Sequence, residues 1–175
     1  MSEAAPGIGE RAAALRLTFD RSFAEPLRLA SETVEDLLAI RIGTQAYALR
    51  LAEVAGLFAD RKVTPVPGGD AALIGIAGFR GAIVPVYGLH TLLGIASGPR
   101  RCRWLVIAAA APVALAFETF DAQLGVPPDA ILPAQAGGET QSCVREFVPT
   151  PKCSSPVIHL PSVLDAIKSR RGQAA

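Results

Sequence analysis

The stretch from Leu73 to Gly94 reads LIGIAGFRGAIVPVYGLHTLLG and decides how the rest of the chain is interpreted. It contains two runs rich in β-branched and other apolar residues, LIGIAGF and AIVPV, which an Arg-Gly pair separates. Two such runs around a short Gly-containing break are typical of a β-hairpin, so we predict a hairpin with its tip at Arg80-Gly81. LHTLLG follows, and its closing glycine predicts a single helical turn that ends at Gly94.

Two further hairpins are indicated on either side of this stretch. LLAIRIG and AYALRL flank a Gly43-Thr44-Gln45 turn, which predicts paired strands at 37–42 and 46–51. The run WLVIAAAAPVALAF at 104–117 is apolar throughout, but it is shorter than the roughly 20 residues that span a bilayer and it contains Pro112. We therefore predict a buried hairpin there, with strands at 104–107 and 113–117, and no direct membrane insertion.

A short internal repeat links two parts of the chain. PVYGLHTLL at 85–93 aligns with PVIHLPSVL at 156–164, 71 residues further along. In each copy a strand would enter a helical turn that carries leucine or valine onto a core. We therefore predict two lobes of similar build, about 36–95 and 100–160, followed by a C-terminal helix. Chance similarity is the alternative, because Pro-Val and Leu-x-x-Leu are common.

Composition narrows the possible functions. The chain has 175 residues, of which 50% are apolar and 19% charged, enough for one domain or two small lobes with a packed core. The 17 Lys and Arg nearly balance the 16 Asp and Glu, so no basic field would attract nucleic acid or anionic lipid. The two His and three Cys do not fall at metal-ligand spacings, and the sequence opens without the features of a secretory signal. We expect a cytoplasmic protein with reduced thiols and no metal site.

The two ends of the chain differ from its middle. Residues 1–35 place apolar side chains among arginines and acids, and we interpret them as an N-terminal docking arm that covers an edge of the domain. The alternative is a short linear motif, FDRSFAEP, for a second partner. Residues 169–175 are interpreted as a tail. Between these ends, many short strands with frequent turns predict a mostly β fold of small closed barrels, with a groove between them for a partner.

The Leu73–Gly94 stretch resembles the signature of the CheW family of chemotaxis coupling proteins. That signature reads hydrophobic-Gly-hydrophobic-hydrophobic-Asn-Leu-Arg-Gly, three variable or apolar positions, Pro-Val, an apolar residue, Asp-Leu, and Leu-Gly. The residues kept are Arg80, Gly81, Pro85, Val86 and Leu89. Weaker likenesses in AYALRLAEVAGLF, VTPVPGG, VALAFETFDAQLGVP and SSPVIHLPSVL extend the resemblance to about residues 36–168.

The chain also departs from this signature. Gly78 stands where the family usually has Asn, Phe79 where it has Leu, and Gly88 where it has Asp. In the second lobe, Glu118 and His159 replace the usual Asp residues, and Val-Arg-Glu-Phe at 144–147 lacks an Arg-Gly step. These departures indicate a divergent or specialised member.

The resemblance implies a fold of two tandem SH3-like five-stranded β-barrel subdomains with short helical turns. It implies a non-enzymatic, cofactor-free scaffold that couples the cytoplasmic tip of a chemoreceptor to the regulatory domain of a CheA-type histidine kinase, and that contacts other CheW-like domains. Its receptor groove would lie between the lobes, near the Arg-Gly turn. The alternative is a stand-alone regulatory module that binds a kinase or a receptor without bridging them, in a pilus, developmental or other non-flagellar output.

The candidate partner-binding residues lie on the Arg-Gly hairpin. Arg80, held between glycines at the tip, could pair with a carboxylate on a partner, or it could pin its own loop to an acid such as Glu53. The neighbouring candidates are Gly75, Gly78, Phe79, Gly81 and Pro85. Tight backbone geometry is the other explanation for Gly75 and Gly81. We expect apolar neighbours on the strands, Ile74, Ile76, Ile83, Val84 and Val86, to be core, and any that face outward to belong to a docking patch.

An enzyme is the competing class of function. A cysteine hydrolase could use Cys143 or Cys153 with His159 or His90, since nucleophile and base need only be neighbours in space. However, no helix start lies near Cys153 to lower its pKa. Structural roles are therefore favoured for both histidines, and we expect no catalytic residue.

Overall fold

The described part of the chain is built mainly from short β-strands. The computed structural model describes residues 34–67, 70–95, 102–133, 143–149 and 154–173, so the N-terminal arm up to residue 33 and the last two residues lie outside it. Residues 169–173, interpreted above as part of a tail, continue the C-terminal helix instead. The strands are β1 (Glu35–Ile42), β2 (Gln45–Arg50), β3 (Val54–Ala59), β4 (Leu73–Phe79), β5 (Ala82–Gly88), β6 (Trp104–Ala108), β7 (Ala114–Phe117), β8 (Thr119–Val126), β9 (Leu132–Pro133), β10 (Val144–Pro149) and β11 (Ser154–Ile158). The helices are α1 (Leu89–Leu92) and α2 (Leu160–Gln173), with 3-10 turns at Leu51–Glu53 and Pro128–Ala130.

The three hairpins predicted from the sequence are confirmed. β1 pairs antiparallel with β2, β4 with β5, and β6 with β7. The apolar run at 104–117 forms the third hairpin because its two strands bury their side chains on both faces, as interior strands do. In the described ranges, no helix is long and apolar enough to cross a membrane.

The strands form two sheets with the same internal pattern. One has the order β3-β6-β7-β5-β4, and the other has the order β8-β1-β2-β11-β10-β9. In each sheet one hairpin, β6–β7 or β1–β2, joins a second hairpin, β5–β4 or β11–β10, through a parallel pairing. The two strands that carry the sequence repeat, β5 and β11, therefore occupy equivalent positions, and each leads directly into a helix. The mostly β fold with two sheets is as predicted, although β9 makes one sheet six-stranded.

The two sheets do not correspond to the two lobes expected at about 36–95 and 100–160, because each sheet contains strands from both of these ranges. β1 and β2 belong to the sheet of β8–β11, while β6 and β7 belong to the sheet of β3–β5. Each half of the chain thus contributes its first hairpin to the other half's sheet. The parallel register Ala48↔Val157 makes one of these exchanges, and Val86↔Ala114 makes the other. Local sequence specifies the hairpins, but the pairing between them is long-range.

Each sheet surrounds its own small core. In the six-stranded sheet, five strands each contribute one buried side chain to a single cluster: Leu37, Ala48, Val126, Val148 and Val157. In the five-stranded sheet, the two edge strands come together, because the rings of Phe58 on β3 and Phe79 on β4 lie 4.9 Å apart between centroids. Thr64, beyond β3, also bridges to Ile76 on β4. The five-stranded sheet is therefore closed into a barrel-like unit.

A third and larger cluster joins the two sheets. It contains Ile40 and Leu49 from one sheet, Val106 and Leu115 from the other, and the apolar residues of both helices, such as Leu160. The five side chains named here are at most 1% exposed. The two sheets thus share one continuous hydrophobic core, with α1 and α2 packed into it.

Candidate functional site

The β4–β5 hairpin ends in a two-residue turn that holds Arg80 away from the sheet. Arg80 has a φ of 47° and Gly81 a φ of 84°, both in the left-handed region that a type I′ hairpin turn requires. For a residue with a side chain this conformation costs about 1–2 kcal/mol, which Gly81 avoids. Both residues are exposed. In the described part of the chain, no hydrogen bond or ion pair engages the Arg80 guanidinium.

Glu53, the acid named as a possible internal partner of Arg80, is used elsewhere. Its carboxylate Oε2 accepts a hydrogen bond of 2.8 Å from the backbone N–H of Leu160, the first residue of α2. Its Oε1 lies 3.9 Å from Nε2 of His159. Glu53 thus anchors the start of α2 and leaves the hairpin tip without this counter-charge.

His159 takes a structural role at the same helix start. Its Nδ1 accepts a hydrogen bond of 3.3 Å from the Ser162 backbone N–H and lies 2.8 Å from the Ser162 hydroxyl. This is what an Asp side chain does at a helix N-terminus, so the imidazole caps the start of α2. Gly88, the other departure from Asp, precedes α1 and offers no side chain to cap it.

The remaining candidate residues of the hairpin divide into supporting and exposed positions. Gly75 is buried, and a Cβ there would lie 2.2 Å from the carbonyl oxygen of Thr64. Phe79 is buried in the core of the five-stranded sheet, and Pro85 is half-buried. Gly78 is exposed, with no atom within 4 Å of where a Cβ would stand. The structure therefore brings Gly78, Arg80 and Gly81 to the surface of the hairpin and places Gly75 and Phe79 beneath it.

Ile83 faces outward and belongs to this surface, so of the two positions expected for the apolar strand residues, core or outward-facing patch, it takes the second. Its side chain is 74% exposed, and it lies opposite Gly78 in the β4–β5 register. Val84 and Val86 are buried as expected, while Ile74 and Ile76 are half-buried. Since alternate residues of a strand face opposite sides, burial of Val84 sends Ile83 outward, and Gly78 has no side chain to cover it. The strand period in AIVPV indicates that Ile83 and Val84 face opposite sides, but it does not indicate which side is buried.

Arg61 contacts aromatic residues beneath the hairpin tip, a role that the sequence did not predict. Its guanidinium carbon lies 5.2 Å from the ring centroid of Phe58 and 5.9 Å from that of Phe79. Such cation–π contacts at exposed sites contribute about 0.5–1 kcal/mol. They fasten the loop after β3 to the residue just before Arg80.

The groups considered for a cysteine hydrolase have other environments. Cys143 is 4% exposed, and its backbone carbonyl accepts a 2.8 Å hydrogen bond from the His159 N–H. Cys153 lies outside the described residues. Burial and, to a smaller extent, the charge of Glu118 raise the pKa of the Cys102 thiol to about 11. That thiol is therefore protonated at neutral pH and is a poor nucleophile.

Comparison with known proteins gives a family match and a structural match. The family model of the CheW-like domain matches residues 36–168. Among solved structures, the crystal structure of the scaffolding protein TtCheW from Thermoanaerobacter tengcongensis is similar, with a TM-score of 0.65 and 19% sequence identity. That match covers 71% of this chain and 88% of the other. The search of curated proteins found no match. At this identity the structural likeness shows the fold alone.

Proposed function

This chain belongs to the CheW-like domain family, and from that membership we propose that it is a cytoplasmic, non-enzymatic adaptor of chemotaxis-like signalling. It would couple the cytoplasmic tip of a chemoreceptor to the regulatory domain of a CheA-type histidine kinase, and would also contact other CheW-like domains. The proposal needs no cofactor, because its mechanism is simultaneous binding of two partners.

The observation that carries the proposal is the presentation of Arg80. The turn holds its side chain in a left-handed conformation at the exposed tip, and Glu53 is committed to the start of α2. An exposed guanidinium with five donors and no acceptor among the described residues is suited to pair with a carboxylate of another protein. Ile83 adds an exposed apolar side chain on the same hairpin, so the tip combines a charge with hydrophobic area.

The six hairpin residues have two roles in this proposal. Arg80, Gly78 and Gly81 would contact the receptor, together with Ile83. Gly75, Phe79 and Pro85 would hold the hairpin in the position where those contacts form. Substitutions in the first group should therefore change binding, and substitutions in the second should change stability first.

Co-sedimentation with a receptor cytoplasmic fragment and a CheA-type kinase tests the coupling. The adaptor should form a ternary complex and alter kinase autophosphorylation. Binding to either partner alone, without a ternary complex, would contradict coupling and identify the stand-alone regulatory module instead. The substitutions at Gly78 and Gly88 relative to the family make this comparison informative, because they change the hairpin and the start of α1.

Charge reversal at the tip tests the assigned surface. Arg80→Glu should weaken receptor binding by at least about tenfold, equal to about 1.4 kcal/mol, and leave the melting temperature unchanged. Arg145→Glu is the matched control, since Arg145 is also exposed but lies on β10 of the other sheet, and it should retain wild-type binding. A large loss of stability in Arg80→Glu would instead assign Arg80 to internal structure.

A further inference from the structure

A half-open cavity of about 300 Å³ lies against the five-stranded sheet. Its volume is in the range of sites that hold small organic molecules. Most of its wall is apolar and comes from Val63, Ile74, Leu105 and Ala116. Polar groups come from Arg61, His90 and Cys102. The cavity is therefore an apolar space with a permanent positive charge on its wall.

The Arg61 guanidinium is held in place but has no acceptor among the described residues. Its carbon lies over the rings of Phe58 and Phe79, at 5.2 Å and 5.9 Å from their centroids. Stacking of this kind uses the face of the guanidinium, so the N–H donors in its plane stay available. The adjacent acid, Asp60, is paired with Arg103 at 3.0 Å. A carboxylate accepts two parallel hydrogen bonds from the edge of a guanidinium, so it is the group that best matches this donor.

A second polar group of the cavity has no partner. The Nδ1 atom of His90 is buried and makes no hydrogen bond. A Cβ at Gly88 would stand 3.1 Å from this nitrogen and 3.4 Å from Cδ1 of Ile74, so Nδ1 lies near the Ile74 side of the cavity wall. A buried polar atom without a partner is unfavourable in a folded protein. Because Nδ1 has no bond to lose, the imidazole can turn toward a ligand without breaking one.

We propose that this cavity binds a small organic carboxylate carried on an apolar stem. The carboxylate would accept hydrogen bonds from the Arg61 guanidinium and from the His90 imidazole, and the stem would pack against Ile74 and Leu105. A cation is disfavoured because it would meet the Arg61 charge. Cys102 adds no negative charge to the wall, since burial raises the pKa of its thiol to about 11 and the thiol is protonated at neutral pH.

The carboxylate could belong to a free acid or to an acidic side chain of a partner protein. Two probes separate these sources: hexanoate represents the free acid, and Nα-acetyl-glutamate N-methylamide represents the side chain. Saturable binding of hexanoate supports a free-acid site, and binding of the glutamate derivative alone supports a partner's side chain. The site goes beyond the adaptor function and does not depend on it.

Amide NMR titration of the full chain measures this binding and needs no variant. At least one of the two carboxylates should give saturable shifts at Val63, Ile74 and Leu105 in the millimolar range, and should also shift the ring nitrogens of His90. The compounds n-hexanol and n-hexylamine have stems of similar length without a negative charge, and should bind at least about tenfold more weakly. If neither carboxylate saturates, or if n-hexanol or n-hexylamine binds as tightly as the carboxylate, the proposal is wrong.

The variant Arg61→Gln tests the charge itself. It should weaken carboxylate binding at least about tenfold and leave the weaker binding of n-hexanol unchanged, since the alcohol reports only on the apolar wall. Lys62→Gln is the matched control, because it removes the same charge at the adjacent exposed position, outside the lining residues, and should bind like the wild type. Glu118 does not line the cavity either, so Glu118→Gln should not weaken carboxylate binding. Wild-type carboxylate affinity in Arg61→Gln, or a loss of affinity in Glu118→Gln, would overturn the assignment.

Discussion

Two glycines on β4, three residues apart, should differ strongly in how much stability the protein loses when each is replaced by alanine. A Cβ at Gly75 would stand 2.2 Å from the Thr64 carbonyl oxygen and 2.8 Å from its carbon, both backbone atoms. A Cβ at Gly78 would meet no atom within 4 Å. Gly75→Ala should therefore push the loop after β3 away from the sheet edge, and Gly78→Ala should leave it in place.

The contacts that the loop would lose set the expected size of the effect. Relief of the clash needs a movement of about 1 Å or more, since non-bonded carbon atoms pack at about 3.5–4.0 Å. That movement breaks the reciprocal bonds Thr64 N–H to Ile76 O, 2.8 Å, and Ile76 N–H to Thr64 O, 2.9 Å. Each contributes about 1 kcal/mol, and overpacking adds about 1–3 kcal/mol. Gly75→Ala should thus cost about 3–5 kcal/mol, and Gly78→Ala less than about 0.5 kcal/mol.

Urea unfolding measures both variants on one scale. The single tryptophan, Trp104 on β6, reports on the five-stranded sheet, and far-UV circular dichroism reports on the whole chain. Because small domains are stable by only about 5–15 kcal/mol, Gly75→Ala should shift the midpoint strongly. Free energies of unfolding that agree within about 0.5 kcal/mol between the two variants would refute the steric reasoning.

Three other substitutions or modifications have defined outcomes. Glu53→Ala removes a charged acceptor at the start of α2 and should cost about 1.5–3 kcal/mol by thermal unfolding, whereas the exposed control Asp129→Ala should cost almost nothing. Gly88→Ala places a Cβ 2.8 Å from Cε1 of His90, so it should destabilise the wild-type protein by about 1–2 kcal/mol. In a protein that already carries His90→Ala, the same substitution should cost much less. Equal costs in the two backgrounds, measured as a double-mutant cycle, would contradict this contact. The pKa of the Cys102 thiol is raised from 9.0 to about 11, which lowers the fraction of reactive thiolate. Alkylation of Cys102 by iodoacetamide at pH 8, followed by mass spectrometry, should therefore be about 100-fold slower than alkylation of a cysteine peptide. A rate equal to that of the peptide would show that the thiol is not buried.

The sequence predicted what is specified locally. The three hairpins follow from alternating apolar runs and their turn residues, and the repeat at 85–93 and 156–164 marks two strands that do occupy equivalent places. The exchange of hairpins between the halves could not be read in the same way. A repeat indicates that two segments have similar local structure, but it does not indicate whether a strand pairs within its own half of the chain or with the other half.

The candidate site was predicted to a similar degree. Arg80-Gly81 at a hairpin tip followed from composition, yet whether Arg80 pairs internally depended on Glu53, which the fold places at α2 instead. For Ile83, the sequence left open both the core and an outward-facing patch. Only the register across the turn, Gly78 opposite Ile83, shows which face of the hairpin is open.

Because the two halves of the chain exchange hairpins, the two sheets can be completed at different times during translation. The five-stranded sheet draws on nothing beyond Phe117, so it can be complete while the rest of the chain is still on the ribosome. The β1–β2 hairpin is synthesised first, but the edge of β2 stays unpaired until Val157 leaves the ribosome and pairs with Ala48. During that interval a neighbouring nascent chain could offer its own β11 to the waiting edge, and the product would be an entwined dimer.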